Sequence, residues 1–173
     1  MESSVSMGVY IFCDNSNVYI EGRWAAGRAD GMRGPNTEFR IDYGQLLMVC
    51  ADNRPVAQAK LYGSVPPPND SLWRAMEKQG WDVKTIQRNQ ADKEKGLDIE
   101  IALDMFELSR DVAPPATMVL VAGDGDYQTL IPRLQDKGWR VEVAFYENVA
   151  LSIKTLADRF ISLETRLHEI RLK

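Results

Sequence analysis

Four aspartates stand where a sheet protein carries out chemistry. Asp14 follows the apolar run Val9–Cys13 and opens Asp14-Asn15-Ser16-Asn17. Asp124 and Asp126 follow Thr117–Ala122 in Gly123-Asp124-Gly125-Asp126, and Asp98 stands in Lys95-Gly96-Leu97-Asp98 at the start of a helical stretch. Bare carboxylates at short range repel one another, and a divalent cation removes the conflict. An oxygen-only set without His or Cys suits Mg²⁺ or Mn²⁺ better than zinc. Such a centre activates water and stabilises the charge that grows on a phosphoryl group. The glycines around Asp124 and Asp126 let the backbone turn tightly and approach a ligand. Each Asp taken alone is explained equally well as a helix N-cap. Four acids beside three strand ends on one edge exceed what capping needs. Asn17 reads either as a helix-surface residue or as a group that orients Asp14 or a phosphate. Asp104 lies six positions after Asp98, roughly 240° around a regular helix, so it reads as a supporting or structural acid rather than a ligand.

The elements that must position these residues are legible from their periodicity. Val9–Cys13, Val56–Tyr62, Trp81–Ile86, Thr117–Ala122 and Arg140–Tyr146 read as strands, and Phe160–Leu163 as a short extra one at an edge. Between them lie helical stretches: Asn15–Ala26, a helix through about Ala51 opened by the capping box Asp42-x-x-Gln45, a helix from Asp70 or Ser71 to Gly80, Leu97–Val112, Tyr127–Lys137 and Asn148–Ala157. Leu97–Val112 is apolar on most sides and is expected to be buried against the sheet. Residues 27–40 hold three Gly, one Pro and several Arg and read as a loop or insertion, and the tail after Leu163 reads as helical. Alternating β and α elements imply a mainly parallel sheet covered by helices. With strand order 3-2-1-4-5, strands one and four are neighbours about 4.8 Å apart. Their carboxyl ends then form the crevice where open α/β sheets bind ligands.

The 173 residues suit one domain spanning the whole chain, and 45% hydrophobic residues with a net charge of −4 exclude disorder as the dominant state. No apolar stretch approaches the ~20 residues a bilayer helix needs. Residues 1–7 lack the basic and apolar regions of a secretory leader, and Cys13 and Cys50 read as buried thiols. A reducing, cytoplasmic setting is therefore expected. The mild negative charge argues against a protein that coats nucleic acid, but not against an enzyme with a local basic surface.

Three segments in order, VYIFCDNSN from Val9, KGLDIEIALD from Lys95 and VLVAGDGDY from Val119, together with Leu156–Ile161, resemble the NYN domain. This is a branch of the PIN-like metal-dependent nucleases, and the likeness is greatest to its LabA-like bacterial members. The resemblance implies a Rossmann-like three-layer sandwich of order 3-2-1-4-5 and hydrolysis of RNA phosphodiesters by a water activated by Mg²⁺ or Mn²⁺. It places Asp14, Asp98, Asp124 and Asp126 in the acidic metal site, Asn17 on the Asn of the first motif, Asp104 on the second acid of the middle motif and Lys95 on the Lys that opens it. Ala122 stands where many relatives have Ser or Thr, and Tyr127 where Phe is commoner. RNA binding then needs cations near the acids. Candidates are Arg23, Arg28, Arg33 and Arg40 in the first half, and Arg88, Lys93 and Lys95 in the second loop. Trp24 reads equally as helix packing or as a ring that stacks on an unpaired base of single-stranded RNA. Tyr19 and Tyr43 read rather as helix packing, and Trp73, Trp81 and Trp139 as core. The apolar helices beside the last strand offer a face for a homodimer.

Two rivals stay open on sequence. A haloacid-dehalogenase-type phosphatase also begins with an Asp after strand one, but it needs an acid two residues on, where this chain has Ser16. An RNA-binding regulator with the same fold and a slow or vestigial site would keep the acids without appreciable turnover.

Overall fold

The computed structural model describes residues 8–65, 71–87 and 96–173. Six strands form one parallel sheet: β1 (Val9–Asp14), β2 (Val56–Val65), β3 (Asp82–Gln87), β4 (Thr117–Val121), β5 (Arg140–Phe145) and β6 (Arg159–Ser162). The order is β3-β2-β1-β4-β5-β6, the expected 3-2-1-4-5 with the short extra strand at the edge beside β5. In register, Cys13 lies beside Val121, so the chain leaves β1 and β4 side by side at their carboxyl ends. Strands β1 and β4 are buried along nearly their whole length, with Val9, Ile11, Phe12, Cys13 and Met118–Val121 all inaccessible or nearly so. This is why both read as continuous apolar runs rather than alternating ones.

The helices are α1 (Asn15–Ala29), α2 (Tyr43–Ala51), α3 (Ser71–Lys78), α4 (Leu97–Asp111), α5 (Leu130–Asp136), α6 (Leu151–Leu156) and α7 (Leu167–Ile170). The capping box at Asp42 forms as expected, with Asp42 Oδ1 accepting the Gln45 N–H at 3.1 Å. Four expectations are corrected. Strand β2 continues through Gly63-Ser64-Val65, which reads locally as a turn, because Thr85-Ile86-Gln87 of β3 pair with it and satisfy its backbone. The helix expected over Tyr127–Lys137 instead opens as a 3₁₀ turn (Gly125–Thr129) and becomes α5 only at Leu130. Pro132 lacks an N–H and is tolerated only in a first helical turn, so no regular α-helix runs through it from Tyr127. Helix α4 buries one face only, through Leu97, Ile101, Met105 and Ser109, while Ile99 and Leu103 are more than half exposed. Its apolar content therefore exceeds what packing against the sheet uses.

The fourth correction concerns residues 27–40. Helix α1 runs on to Ala29, and the rest folds back onto it: Asn36 N–H donates to Arg23 O at 2.8 Å and the Asn36 amide to Asp30 at 2.7 Å. The tail then clamps this segment, with Arg171 pairing to Asp30 at 2.9 Å and Leu172 N–H donating to Arg40 O at 2.9 Å. The helical part of the tail is only the four residues of α7.

Candidate functional site

Asp14 ends β1 and caps α1, its Oδ1 accepting the Asn17 N–H at 3.2 Å. Asp124 follows β4 and caps the 3₁₀ turn, its Oδ1 accepting the Asp126 N–H at 3.0 Å. Both Asp residues therefore cap as well as bring charge to the carboxyl ends of β1 and β4. Asn17 ties the two together. Its Oδ1 accepts the Gly123 N–H at 2.9 Å, bridging the first turn of α1 to the end of β4. The Asn17 side chain thus locks the start of α1 to the end of β4, a contact that neither reading open on sequence named.

Gly123 is required by space. A Cβ there would lie 2.0 Å from the Phe145 ring, and its carbonyl accepts the Ala150 N–H at 2.9 Å, so the loop cannot back away. Gly123→Ala is expected to destabilise the fold by about 2 kcal/mol or more, since overpacking of this kind displaces ring and backbone. Urea denaturation would check it; an unchanged midpoint would show that Phe145 moves freely.

Asp98 arrives from a third element. It is the second residue of α4, whose N-cap Gly96 has φ +94°, a left-handed conformation that an L side chain rarely adopts. All three carboxylates act on one group. Tyr127 is buried, its hydroxyl has no hydrogen-bond partner among the described residues, and its phenol is pushed far above its ordinary range. Burial is the main cause, followed by the charges of Asp14, Asp98 and Asp124. A buried hydroxyl without a partner is unusual in a folded protein and marks a place where water or an ion completes the bonding. The position was legible only as a departure from the commoner Phe; its place among the acids needed the fold.

The remaining residues are distributed more widely. Asp126 is exposed and donates its N–H to Asp124. Asp104 accepts from the Tyr62 hydroxyl at 2.8 Å and from Lys84 at 3.1 Å, so it is engaged between α4 and strands β2 and β3. Arg23 donates to Thr37 O at 2.9 Å and lies over the Tyr19 ring, 4.6 Å from its centroid. Arg28, expected to meet RNA, forms a two-bond pair with Glu164 at 2.9 and 3.1 Å. Trp24 is 44% exposed, whereas Tyr43, Trp73, Trp81 and Trp139 are buried. Arg88, Lys93 and Lys95 lie outside the described residues. Cys13 and Cys50 are free and buried, and burial pushes the Cys13 thiol well up and Cys50 to about 12, so neither is a nucleophile near neutral pH.

Among the described residues, no three His, Cys, Asp or Glu side chains are gathered closely enough to form a ready metal cage. The donor chemistry nevertheless fits a hard divalent cation. The acids around Tyr127 offer oxygen alone, and the orphaned hydroxyl stands among their charges. Among the described residues, no helix is long and apolar enough to cross a membrane.

Comparison with solved structures finds the same fold in a crystal structure of a protein of unknown function from Vibrio parahaemolyticus. That chain is 23% identical, with a TM-score of 0.75 over 99% of this chain and 100% of its own. No curated protein matches the sequence. The NYN domain matches residues 8–164, which hold β1 through β6 and every acid that acts on Tyr127. The chain therefore belongs to the NYN domain family, a family of PIN-like nucleases.

Proposed function

We propose that the protein is a ribonuclease of the LabA-like kind that hydrolyses phosphodiester bonds of single-stranded RNA with Mg²⁺ or Mn²⁺, in the cytoplasm. What supports this reading is the placement of Asp14 and Asp124 at the carboxyl ends of the adjacent strands β1 and β4, tied together by Asn17, with Asp98 at the start of α4 and the charges of all three felt at the buried Tyr127 phenol. Asp14, Asp98 and Asp124 would hold the cation, with Asp126 closing the set from the exposed side. A bound divalent cation supplies Lewis acidity toward a phosphoryl oxygen and a water that is nucleophilic at neutral pH. Tyr127 stays protonated and offers its O–H as a donor within the acidic pocket. Asn17 keeps the Asp14 and Asp124 loops in fixed relation, which is the positioning that phosphoryl chemistry depends on. Asp104 supports α4 from behind through Tyr62 and Lys84.

The test is incubation of the purified chain with labelled single-stranded and structured RNAs in Mn²⁺, Mg²⁺ or EDTA. Cleavage of the single-stranded RNA is expected with either cation and none in EDTA. Cleavage undiminished by EDTA would overturn the metal-dependent reading. RNA binding without cleavage would point to a regulator with a vestigial site. Release of phosphate from small phosphoesters, with RNA intact, would revive the phosphatase reading.

A further inference from the structure

A cavity of about 330 Å³ opens between α1, the segment leading into α2, helix α3 and the C-terminal residues. Its size lies within the ~300–1,000 Å³ of small-molecule sites. Leu72, Ala75 and Leu172 contribute to its mainly apolar wall, and Asn15, Tyr19 and Arg40 bring polar groups to it. Asn15 directly follows Asp14, so the cavity adjoins the carboxylate edge.

Three features define what would fill it. The buried Asn15 accepts a hydrogen bond from the Tyr43 hydroxyl through Oδ1, which leaves its amide hydrogens without a partner among the described residues. Tyr19 presents a ring at the wall, with the Arg23 guanidinium stacked over it. Arg23 and Arg40 both donate to the Thr37 carbonyl, at 2.9 and 3.0 Å, so two guanidinium groups are held side by side, and neither pairs with a carboxylate among the described residues. Two like charges fixed together favour an anion between them.

We infer that this cavity is a base-binding subsite for one unpaired nucleotide of the RNA, resting on the ribonuclease reading for its natural ligand. The apolar wall and Tyr19 take the base, the open Asn15 amide donates to an acceptor on the base edge, and Arg23 with Arg40 takes the attached phosphate. Apolar surface for the ring, one placed amide and a phosphate clamp are the groups by which proteins hold single-stranded nucleic acid.

The experiment uses the full chain in EDTA, titrated with each of the four nucleoside 5′-monophosphates and with ribose 5-phosphate, followed by NMR of the methyl groups. At least one nucleotide should shift the methyls of Leu72, Ala75 and Leu172, and ribose 5-phosphate should bind about tenfold more weakly for want of the base. Ala75→Trp, which fills the cavity, should weaken nucleotide binding about tenfold by removing the same stacking space. Arg40→Ala, an exposed change that leaves the core untouched, should weaken nucleotide and sugar phosphate alike. Equal binding of ribose 5-phosphate, shifts confined to other methyls, or no nucleotide binding would each overturn the inference. Because EDTA removes turnover from the readout, nucleotide binding without any RNA cleavage elsewhere would sink the ribonuclease reading alone. Cleavage without nucleotide binding would sink this subsite alone.

Discussion

Asp14→Asn and Asp124→Asn are each expected to lower RNA cleavage by at least about 100-fold, because even changes outside a metal's direct ligands cost up to that much. The choice of Asn separates two roles that each Asp plays. Asp14 Oδ1 accepts the Asn17 N–H and Asp124 Oδ1 accepts the Asp126 N–H. An Asn side chain keeps an oxygen acceptor and caps about as well as Asp, so the thermal melt should move little. The cap is kept and the charge is lost. Asp14→Ala would remove the cap too, adding about 1 kcal/mol of destabilisation. Rates in Mn²⁺ measured beside melting curves decide the matter. Cleavage that survives either Asn variant at near wild-type rate would place the chemistry elsewhere or trace it to a contaminant.

The largest expected effect on stability lies inside the sheet, in β5. Glu142 is the third residue of β5, and its side chain is only 1% exposed. Arg54 grips both its oxygens, at 2.7 and 2.8 Å, and Arg140 donates to it at 2.9 Å. Arg54 also donates to the Cys50 and Ala51 carbonyls, so the same side chain fastens the end of α2 to β5. Burial would push the Glu142 carboxyl up, but the hydrogen bonds and charges of Arg54 and Arg140 more than offset it and hold the group below its usual range. Either change removes the two charge-assisted bonds between Arg54 and the buried carboxyl, and Glu142→Gln or Arg54→Ala should each cost about 3 kcal/mol.

The sign of the pH dependence follows from the depressed Glu142 value. Its contribution is fully present above the unfolded-state value of about 4.3 and is lost as pH falls through the lower folded-state value. Denaturation midpoints of the native chain should therefore drop below about pH 4.3, where the unfolded state takes up protons first. Glu142→Gln should show a shallower drop, the remainder coming from carboxyls such as Asp52, held low by Arg159. Equal slopes in native and variant chains would contradict this account. The carboxylates of the candidate site lie at the far ends of the strands, so cleavage per folded molecule should be unchanged by Glu142→Gln well below its melting temperature.

What the amino-acid order determined by itself is everything governed by neighbours a few positions apart. The capping box at Asp42 forms because Asp and the Gln45 N–H meet within one turn. Strands β1 and β4 are recognisable because burial on both faces demands unbroken apolar runs. Alternating elements implied a parallel sheet, the family resemblance implied its order, and that order placed the acids of the first and fourth strands on one edge. The family motifs were legible for the same reason, each being a short contiguous string.

What only the tertiary structure decided are pairings between groups distant along the chain. Asn17 meets Gly123 across 106 positions, Arg54 meets Glu142 across 88, and Arg28 meets Glu164 across 136. Nothing local distinguishes Arg28, tied to a carboxylate, from Arg40, which pairs with none among the described residues. Glu142 sits in a strand whose pattern shows no sign that three arginines surround it. Tyr127 looked like a conservative exchange until the fold set its hydroxyl among three charges. Propensity and periodicity act through the backbone over a few residues, whereas a charge or hydrogen bond responds to whatever folding brings within a few ångströms, and that neighbour is settled only when the sheet and its helices close around it.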